Sequence, residues 1–267
     1  MGRVTGDGTV GKALEVLDQV ADFGRPVRFS ELLSQSPFPK PTLYRLVQAL
    51  TNQQMLAFDP DRQTYAPGLR LVRLAHAAWE QSTLAPIARP HVEALSRAVD
   101  ETVHLAQLDH AQVLYVDKRN AGQPVRMYSQ AGKVGPAYCT GVGKVMLAFS
   151  DPDVIDAIIA QQSFHVFTPN TLTGPEELRA ELADIRANGY GFDREEHEPG
   201  IICVAMPIRS ETGRVLGALS VTSTTRRTNL AGLEGYVPIL RDTVEKISTE
   251  AQNWSFPHYD RKETAGM

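Results

Sequence analysis

The segment from Ser36 to Leu50 constrains the fold most, because it predicts a short turn that leads into a helix with two different faces. Pro41 suits the first position of a helix, since its φ is fixed and its missing N–H needs no partner there. Apolar residues recur at helical spacing and form a stripe that we expect to face a core: Leu43, Leu46, Val47 and Leu50. The other face carries side chains that can reach phosphate oxygens or base edges: Thr42, Tyr44, Arg45 and Gln48.

The flanking segments predict a winged helix-turn-helix, with three helices and a β-hairpin wing. Upstream of the segment Ser36–Leu50, an amphipathic helix is predicted to end before Gly24. Ser30 is placed to cap a brief second helix. After the third helix, the extended runs Met55–Phe58 and Gln63–Ala66 flank an Asp-Pro-Asp turn, which is typical of a hairpin. This order of elements is that of a DNA-binding module, although two helices joined by a turn also occur in proteins that never contact DNA.

The charge balance argues against a general nucleic-acid coat. The chain has a net charge of −4, and residues 1–68 carry seven Lys and Arg side chains against seven Asp and Glu. We therefore expect the basic groups to be concentrated on one face, with two modules paired in a dimer, and non-specific binding to be weak and salt-sensitive. The candidate DNA-contacting residues are Arg28, Lys40, Thr42, Tyr44, Arg45, Gln48 and Arg62.

The length of 267 residues suits two domains in a globular protein of ordinary composition. No apolar run approaches the roughly 20 residues that span a bilayer, and no signal segment is evident, so a cytoplasmic location without membrane partners is expected. Cys139 and Cys203 are too few and too far apart for a disulfide scaffold or a four-cysteine zinc site, and no metal or cofactor is predicted. The predicted division is 8–68 for the DNA-binding domain, 69–82 for a linker helix, 83–252 for a second domain and 253–267 for a poorly ordered tail.

The second domain is predicted to be α+β, with antiparallel strands and flanking helices rather than a parallel βαβ array. A hairpin is expected from Val103–Leu108 and Gln112–Asp117 around the turn at Asp109-His110. The remaining predicted strands are 125–128, 191–192, 201–208 and 215–222, and the predicted helices are 92–99, 154–161, 175–188 and 234–251.

The segment Pro136–Lys144 is the candidate chemical centre of the second domain. Its small residues precede a helix predicted to begin at Val145, where free backbone N–H groups and the helix dipole favour an anion. It is not a nucleotide P-loop, because Tyr138 stands where a glycine is needed and Val145 replaces the Ser or Thr that holds magnesium. A carboxylate is the favoured anion, and a plain glycine-rich turn is the alternative.

Residues further along the chain are candidates to converge on that segment. Asp193 follows a glycine-rich turn, Cys203 lies in an apolar strand, and Ser220 and Thr222 share one face of their strand. On the residues alone, a core cysteine and solvated hydroxyls are the more frequent interpretations.

Taken together, the motifs resemble those of IclR-type transcriptional regulators over nearly the whole chain. The resemblance is carried by Lys40–Leu46, Tyr138–Lys144, Gly189–Glu196, Glu198–Pro207 and Gly217–Thr222. It implies a GAF-like effector domain, a homodimer or homotetramer, double-stranded operator DNA as partner, and often repression. It also implies a small organic acid bound by Cys139, Thr140, Gly141, Val142, Asp193, Cys203, Ser220 and Thr222. The family commonly has Ser at the position of Pro41. Because proline lacks both a hydroxyl and a backbone N–H, this chain loses those two groups from the expected DNA contacts.

Three interpretations of the ligand chemistry stay open at this point. The motif wording is similar to that of the family's sugar-acid regulators, which favours a keto- or hydroxy-sugar acid. An aromatic acid is the alternative, with Tyr138, Phe149 and Met206 as an apolar lining. A more remote alternative is an enzyme with Cys139 or Cys203 as nucleophile and His104 or His197 as base, but the spacing places no base beside either thiol. A metal held by Glu195–Glu198 is disfavoured, since adjacent residues rarely point at one ion.

Overall fold

The computed structural model describes residues 8–122, 127–252 and 254, and its fold divides into two compact units between Ala78 and Trp79. The tail predicted at 253–267 lies outside the described residues except for Trp254. We call the part before the division the first unit and the part after it the second unit.

Ahead of Leu69, the described residues of the first unit form three helices and a small antiparallel sheet, as the sequence predicts. Its elements are α1 (Gly8–Asp22), β1 (Val27–Arg28), α2 (Phe29–Gln35), α3 (Lys40–Asn52), β2 (Leu56–Asp59) and β3 (Thr64–Pro67). Strand β3 lies between β1 and β2, with Tyr65 opposite both Val27 and Phe58. The apolar stripe of α3 is buried as expected, against α1, α2 and the sheet.

Two local details differ from the sequence-based expectation. Helix α2 begins at Phe29, so Ser30 lies inside its first turn and does not cap it; instead the backbone N–H of Arg28 donates to Glu31 Oε2 at 2.9 Å. Helix α3 begins at Lys40, which puts Pro41 at the second helical position. Strand β1 is missed by pattern reasoning because two residues carry no periodic signal.

Helix α4 (Leu69–Ser82) crosses the division between the units. At its start, the Arg70 guanidinium donates to the carbonyl and the side-chain oxygen of Gln53, at 3.0 and 2.9 Å. Leu71 packs on the core of the first unit, whereas Leu69, Val72 and Leu74 are 82%, 64% and 50% exposed. The linker helix therefore presents an apolar surface that the described residues of this chain do not cover.

In the part of the second unit that the structure describes, six antiparallel strands form one sheet with helices on both of its faces. Its elements are α5 (Ala85–Val99), β4 (Thr102–Asp109), β5 (Gln112–Arg119), β6 (Val134–Pro136), α6 (Gly141–Ala148), α7 (Pro152–Ile159), α8 (Pro175–Asn188), β7 (Gly191–Arg194), β8 (Ile201–Arg209), β9 (Val215–Thr224), α9 (Leu230–Glu234) and α10 (Val237–Glu250). The strand order is β6-β5-β4-β9-β8-β7. One apolar cluster lies between the sheet and α5 and α10, and a second lies between the opposite face and α6, α7 and α8. The α+β class is confirmed.

Three predicted elements need correction. The strand expected at 125–128 falls partly on residues outside the described part of the chain, and Met127 and Tyr128 are not in a strand; the strand that pairs with β5 is Val134–Pro136. Helix α6 begins at Gly141, one turn before the expected start, because Thr140 caps it. The closing helix begins at Val237, after the separate short α9.

Candidate functional site

The N-terminus of α6 forms one wall of a small cavity in the second unit. Thr140 Oγ1 accepts a hydrogen bond from the Gly143 N–H at 3.3 Å and donates to the carbonyl of Pro136 at 2.8 Å. The N–H groups of Gly141 and Val142 come first in the helix, so neither has an acceptor within it. The segment predicted from its small residues therefore does present free backbone donors, from a first helical turn and not from a loop.

The sheet brings the other predicted residues to the same cavity. Asp193 on β7 lies opposite Cys203 on β8, and Cys203 lies opposite Thr222 on β9. Ser220 lies two residues from Thr222 on the same face, and all four side chains line the cavity with Thr140, Gly141 and Val142. Cys139 does not line it; this residue is fully buried in the apolar cluster around α6.

His104 is a cavity residue that the sequence-based site did not include. Its Nδ1 lies 3.1 Å from Thr222 Oγ1, and its Nε2 lies 2.8 Å from Ser129 Oγ. Burial and the nearby Lys118 ammonium lower the pKa of His104 to about 3, so the ring is neutral and has one donor and one acceptor nitrogen. Ser220 Oγ, 3.3 Å from Thr222 Oγ1, extends this chain of hydroxyl and imidazole groups.

The mouth of the cavity is formed by the segment around Tyr128. The Tyr128 N–H donates to Glu198 Oε2 at 3.0 Å, and its ring lies edge-on to His197 with centroids 5.1 Å apart. Lys118 Nζ donates to the carbonyl of Ser129 at 2.8 Å. The cavity volume is about 30 Å³, room for little more than a water molecule, so a larger ligand requires these wall groups to move apart. The lining residues missed by sequence reasoning are His104, Tyr115, Tyr128, Ser129, His197, Glu198 and Ile201.

A buried charge network lies next to the cavity. Lys144 Nζ donates to Glu196 Oε1 at 2.5 Å and to Glu181 Oε1 at 2.9 Å, and Arg194 donates to Glu181 at 2.7 Å. Asp193 Oδ1 accepts from the Glu196 N–H at 2.8 Å. Burial, with a further contribution from the Glu196 carboxylate, raises the pKa of Asp193 to about 7.

The environment of the two thiols opposes nucleophilic chemistry. Burial, reinforced by the charge of Asp193, raises the pKa of both Cys139 and Cys203 well above the ordinary value, whereas a nucleophile needs a lowered pKa. The hydrogen-bond partners of His104 are hydroxyl groups rather than a thiol.

The run Glu195–Glu198 does not gather around a common point. Glu195 accepts from the Gly200 N–H, Glu196 pairs with Lys144, and Glu198 accepts from Tyr128. Across the described parts of the chain, no group of three or more His, Cys, Asp or Glu side chains is placed to hold a metal.

The residues proposed for an apolar lining lie elsewhere. Tyr138 is buried and its hydroxyl donates to the carbonyl of His165 at 2.6 Å. Phe149 and Met206 line a separate open groove with Arg186, Arg209 and Arg241. None of the three borders the cavity at α6.

The outer face of α3 carries the candidate DNA contacts in the first unit. Lys40, Tyr44 and Arg45 are exposed, and Thr42 is half-buried. Gln48 is also half-buried and hydrogen-bonds the Tyr65 hydroxyl, so part of its capacity is used within the unit. Tyr44 is 56% exposed and lies edge-on to Phe29, with ring centroids 5.9 Å apart.

The basic side chains on this unit differ in how far they are neutralised. Arg62, in the hairpin turn, lies 3.9 Å from the Asp59 carboxylate, and Arg25 pairs with Glu31. Lys40 and Arg45 have no ion pair among the described residues and can face a phosphate backbone, whereas the charge of Arg28 also acts on the nearby Glu31 carboxylate.

Both units of the chain match models of known protein families. Residues 9–60 match the model of the IclR helix-turn-helix domain, and residues 76–249 match that of the bacterial transcriptional regulator IclR C-terminal domain. The chain is 32% identical to the transcriptional regulator KdgR of Escherichia coli K12 over 233 residues, which is 87% of this chain and 89% of that protein.

Solved structures agree with this assignment. The Thermotoga maritima IclR structure superposes with a TM-score of 0.75 at 29% identity, covering 92% of this chain and 100% of that one. An IclR homologue from Microbacterium hydrocarbonoxydans, complexed with 4-hydroxybenzoate, gives a TM-score of 0.78 at 26% identity, covering 93% of this chain and 100% of that one. The chain belongs to the IclR family of DNA-binding transcriptional regulators, a family of regulators rather than enzymes. Within its described residues, no helix is both long and apolar enough to span a membrane.

Proposed function

We propose that this protein is a regulator whose affinity for operator DNA is set by a small organic acid, with a keto- or hydroxy-sugar acid as the preferred effector. The observation that carries the proposal is the polar wall opposite the N-terminus of α6. Free N–H groups at Gly141 and Val142 suit a carboxylate. The hydroxyls of Ser220 and Thr222, with the neutral imidazole of His104, suit the hydroxyl or carbonyl groups of a sugar acid.

An aromatic acid is the second candidate. The relative complexed with 4-hydroxybenzoate supports it, since that protein shares the fold over nearly the whole chain. The polar side chains of the lining favour the sugar acid instead. None of Tyr138, Phe149 and Met206 borders the cavity, and its aromatic lining is Tyr115 and Tyr128. Both candidate effectors are proposed to bind the same residues: Asp193, Cys203, Ser220 and Thr222.

The DNA-binding form is proposed to be a homodimer or homotetramer in the cytoplasm, with α3 of two chains contacting two half-sites. Exposed apolar side chains on α1 and α4 support self-association: Val10, Leu14, Leu69, Val72 and Leu74. The DNA contacts proposed are Arg28, Lys40, Thr42, Tyr44, Arg45, Gln48 and Arg62.

The switch is proposed to act through α4. Tyr115 on β5 lines the cavity, and the carbonyl of the next residue, Val116, accepts a 2.8 Å hydrogen bond from Trp79 Nε1 in the last turn of α4. Arg89 lies over the Trp79 ring at 4.5 Å from its centroid. A shift of β5 on effector binding therefore changes how the end of α4 is held, and the coupling free energy between sites of this kind is typically about 1–3 kcal/mol.

A mobility-shift assay on DNA flanking the gene itself tests the regulator, with and without gluconate, a ketogluconate, galacturonate and 4-hydroxybenzoate. We expect a shifted complex whose midpoint moves with a sugar acid. Calorimetric titration of the same acids identifies the class. If 4-hydroxybenzoate is the one acid that gives a heat of binding, the preference for a sugar acid is overturned. If no acid binds, the effector proposal is overturned.

A further inference from the structure

We propose that the effector acid binds to this cavity together with one proton, which Asp193 takes up. This inference rests on the proposed function, because it assumes that a carboxylate occupies the N-terminus of α6. Within that site, Asp193 would take up the proton and, once protonated, help to select which acid binds.

The geometry puts two carboxylates in one small volume. Asp193 is 7% exposed and lines the cavity. A Cβ atom added at Gly141 would lie 3.3 Å from the Asp193 backbone nitrogen, and nearer still to Cys203 Sγ. The first turn of α6 thus lies directly against β7 and β8, so an acid held by the Gly141 and Val142 N–H groups has Asp193 beside it.

The charges around Asp193 leave it without a cation of its own. On α6, Lys144 is shared between Glu196, in the turn after β7, and Glu181 of α8, while Arg194 of β7 also pairs with Glu181. At the mouth, Lys118 of β5 faces Glu198. Two cations therefore match two carboxylates in the network, and Asp193 is the third carboxylate.

The remaining titratable groups near Asp193 offer it no cation. They are His104 of β4, Tyr115 of β5, Tyr128 and His197 at the mouth, Cys203 of β8 and Cys139 before α6. Burial lowers the pKa of both histidines and raises the pKa of both thiols and of Tyr115. None of these groups supplies a positive charge to a second anion.

Two carboxylates that share a buried site do not both stay ionised. Burial has already raised the pKa of Asp193 to about 7 in the free protein, so a bound carboxylate raises it further. The proton comes from solvent and adds to a carboxylate oxygen of Asp193, and no bond in the effector breaks. Protonated Asp193 then becomes a donor toward a hydroxyl or carbonyl of the acid, which an ionised carboxylate cannot be.

Isothermal titration calorimetry in two buffers of different ionisation enthalpy counts the protons. The probe is the acid that binds the full-length protein among gluconate, a ketogluconate, galacturonate and 4-hydroxybenzoate. At about pH 8 we expect an uptake approaching one proton per acid bound, falling toward zero at about pH 5.5, where free Asp193 is already protonated. The dissociation constant should weaken by up to about tenfold per pH unit above pH 7.

Asp193→Asn removes the titrating group but keeps the oxygen that accepts from Glu196, so this variant should show no proton uptake and a dissociation constant without that slope. Asp156→Asn, at the exposed pair with Arg179, is the matched control and should behave like the wild type. Binding without proton uptake at pH 8, or equal uptake in Asp193→Asn, would overturn the inference while leaving the regulator intact. If no acid binds, the proposed effector function fails, and the inference fails with it.

Discussion

The ammonium group of Lys144 lies 2.5 Å from Glu196 Oε1 at a position where the Lys144 side chain has no exposed surface. Glu181 supplies the second carboxylate, at 2.9 Å. Lys144 lies on α6, whose N-cap is Thr140, and Glu196 lies in the turn that follows β7. The ion pair therefore connects α6 to that turn. The free N–H groups of the cavity are thereby held against Asp193.

Replacing Lys144 by Met should destabilise the second unit by about 3–5 kcal/mol, because the buried Glu196 carboxylate loses its nearest cation and Glu181 keeps only its pair with Arg194. Urea unfolding followed by circular dichroism measures the change. Lys246→Met is the control: its pair with Asp242 is exposed, so the loss there should be about 0.3–0.5 kcal/mol. Equal effects from the two variants would contradict a structural role for the Lys144 network.

Gly141→Ala should close the cavity, because the new Cβ meets Cys203 Sγ and overpacking costs about 1–3 kcal/mol. We expect loss of effector binding by calorimetry and a lower unfolding free energy. Adding Cys203→Ala removes the clashing sulfur and should restore part of the stability, which a double-mutant cycle measures. Gly174→Ala, where a Cβ meets no atom within 4 Å, is the control. A Gly141→Ala variant with wild-type effector affinity would show that the cavity is not the site.

A Cys203→Met change tests the same cavity from the sheet side. The longer side chain should fill the space beside Gly141 and abolish the response to effector, while operator binding shows that the first unit is still folded. A normal effector response in this variant would contradict the assignment of the cavity.

Stability should depend on pH through Asp193 and His104 with opposite signs. Asp193 has a pKa of about 7 in the fold against 3.8 unfolded, so the fold binds more protons between these values and loses stability as pH rises to about 7. His104 has a pKa of about 3 against 6.5, so its contribution rises with pH across that range. The difference between wild type and Asp193→Asn isolates the first group: the wild type should lose about 2–3 kcal/mol relative to the variant between pH 5 and pH 8. Parallel pH profiles for the two proteins would be inconsistent with a buried, titrating Asp193.

Trp79→Phe should weaken the response to effector without weakening effector binding, because the ring that Arg89 covers remains while the N–H donated to Val116 is lost. A typical hydrogen bond contributes about 1 kcal/mol, which is comparable to the coupling. The measurement is the shift in operator affinity on adding effector. Tyr190→Phe, which removes a hydrogen bond to Glu234 away from α4, is the control. An undiminished shift in Trp79→Phe would exclude this contact from the switch.

Arg45→Ala should strongly weaken specific operator binding and leave effector affinity unchanged, since Arg45 is exposed on α3 and has no ion pair among the described residues. A lost base contact of this type costs about 1–3 kcal/mol. Arg97→Ala, on the exposed surface of α5 in the second unit, removes an equal charge outside the proposed set of DNA contacts and should bind operator normally. If Arg45→Ala retains wild-type operator affinity, Arg45 does not belong to the reading face.

Most of the fold could be predicted because its longer elements have strong periodic signals. The α3 stripe, the hairpin β2–β3 and the hairpin β4–β5 lie within a few residues of their expected positions. The errors are short or capped elements: β1 has two residues, and β6 has three with a glycine at its centre. Sequence reasoning places the start of α6 too late because Gly141 and Gly143 disfavour a helix by propensity, whereas the Thr140 cap and burial against β8 stabilise it.

The candidate site was only partly accessible to sequence reasoning. Ser220 and Thr222 were placed on one strand face by their alternation, and both line the cavity. His104 has the same kind of signal, a polar residue between Val103 and Leu105, but alternation cannot say which polar residue faces a cavity and which faces solvent. Cys139, next to Thr140, points into the apolar cluster, because the chain turns at the helix cap.

Local patterns along the chain were enough to predict the longer helices and strands, the buried stripe of α3 and backbone donors near Gly141, because these features depend on neighbours in the sequence. The hydrogen bond between His104 and Thr222, which are 118 residues apart, could be seen only in the folded chain. The same holds for the pairing of Lys144 with Glu196 and Glu181, which leaves Asp193 without a cation. Such pairings depend on the register of strands that the sequence separates widely. Their energies come from burial, which no local pattern specifies.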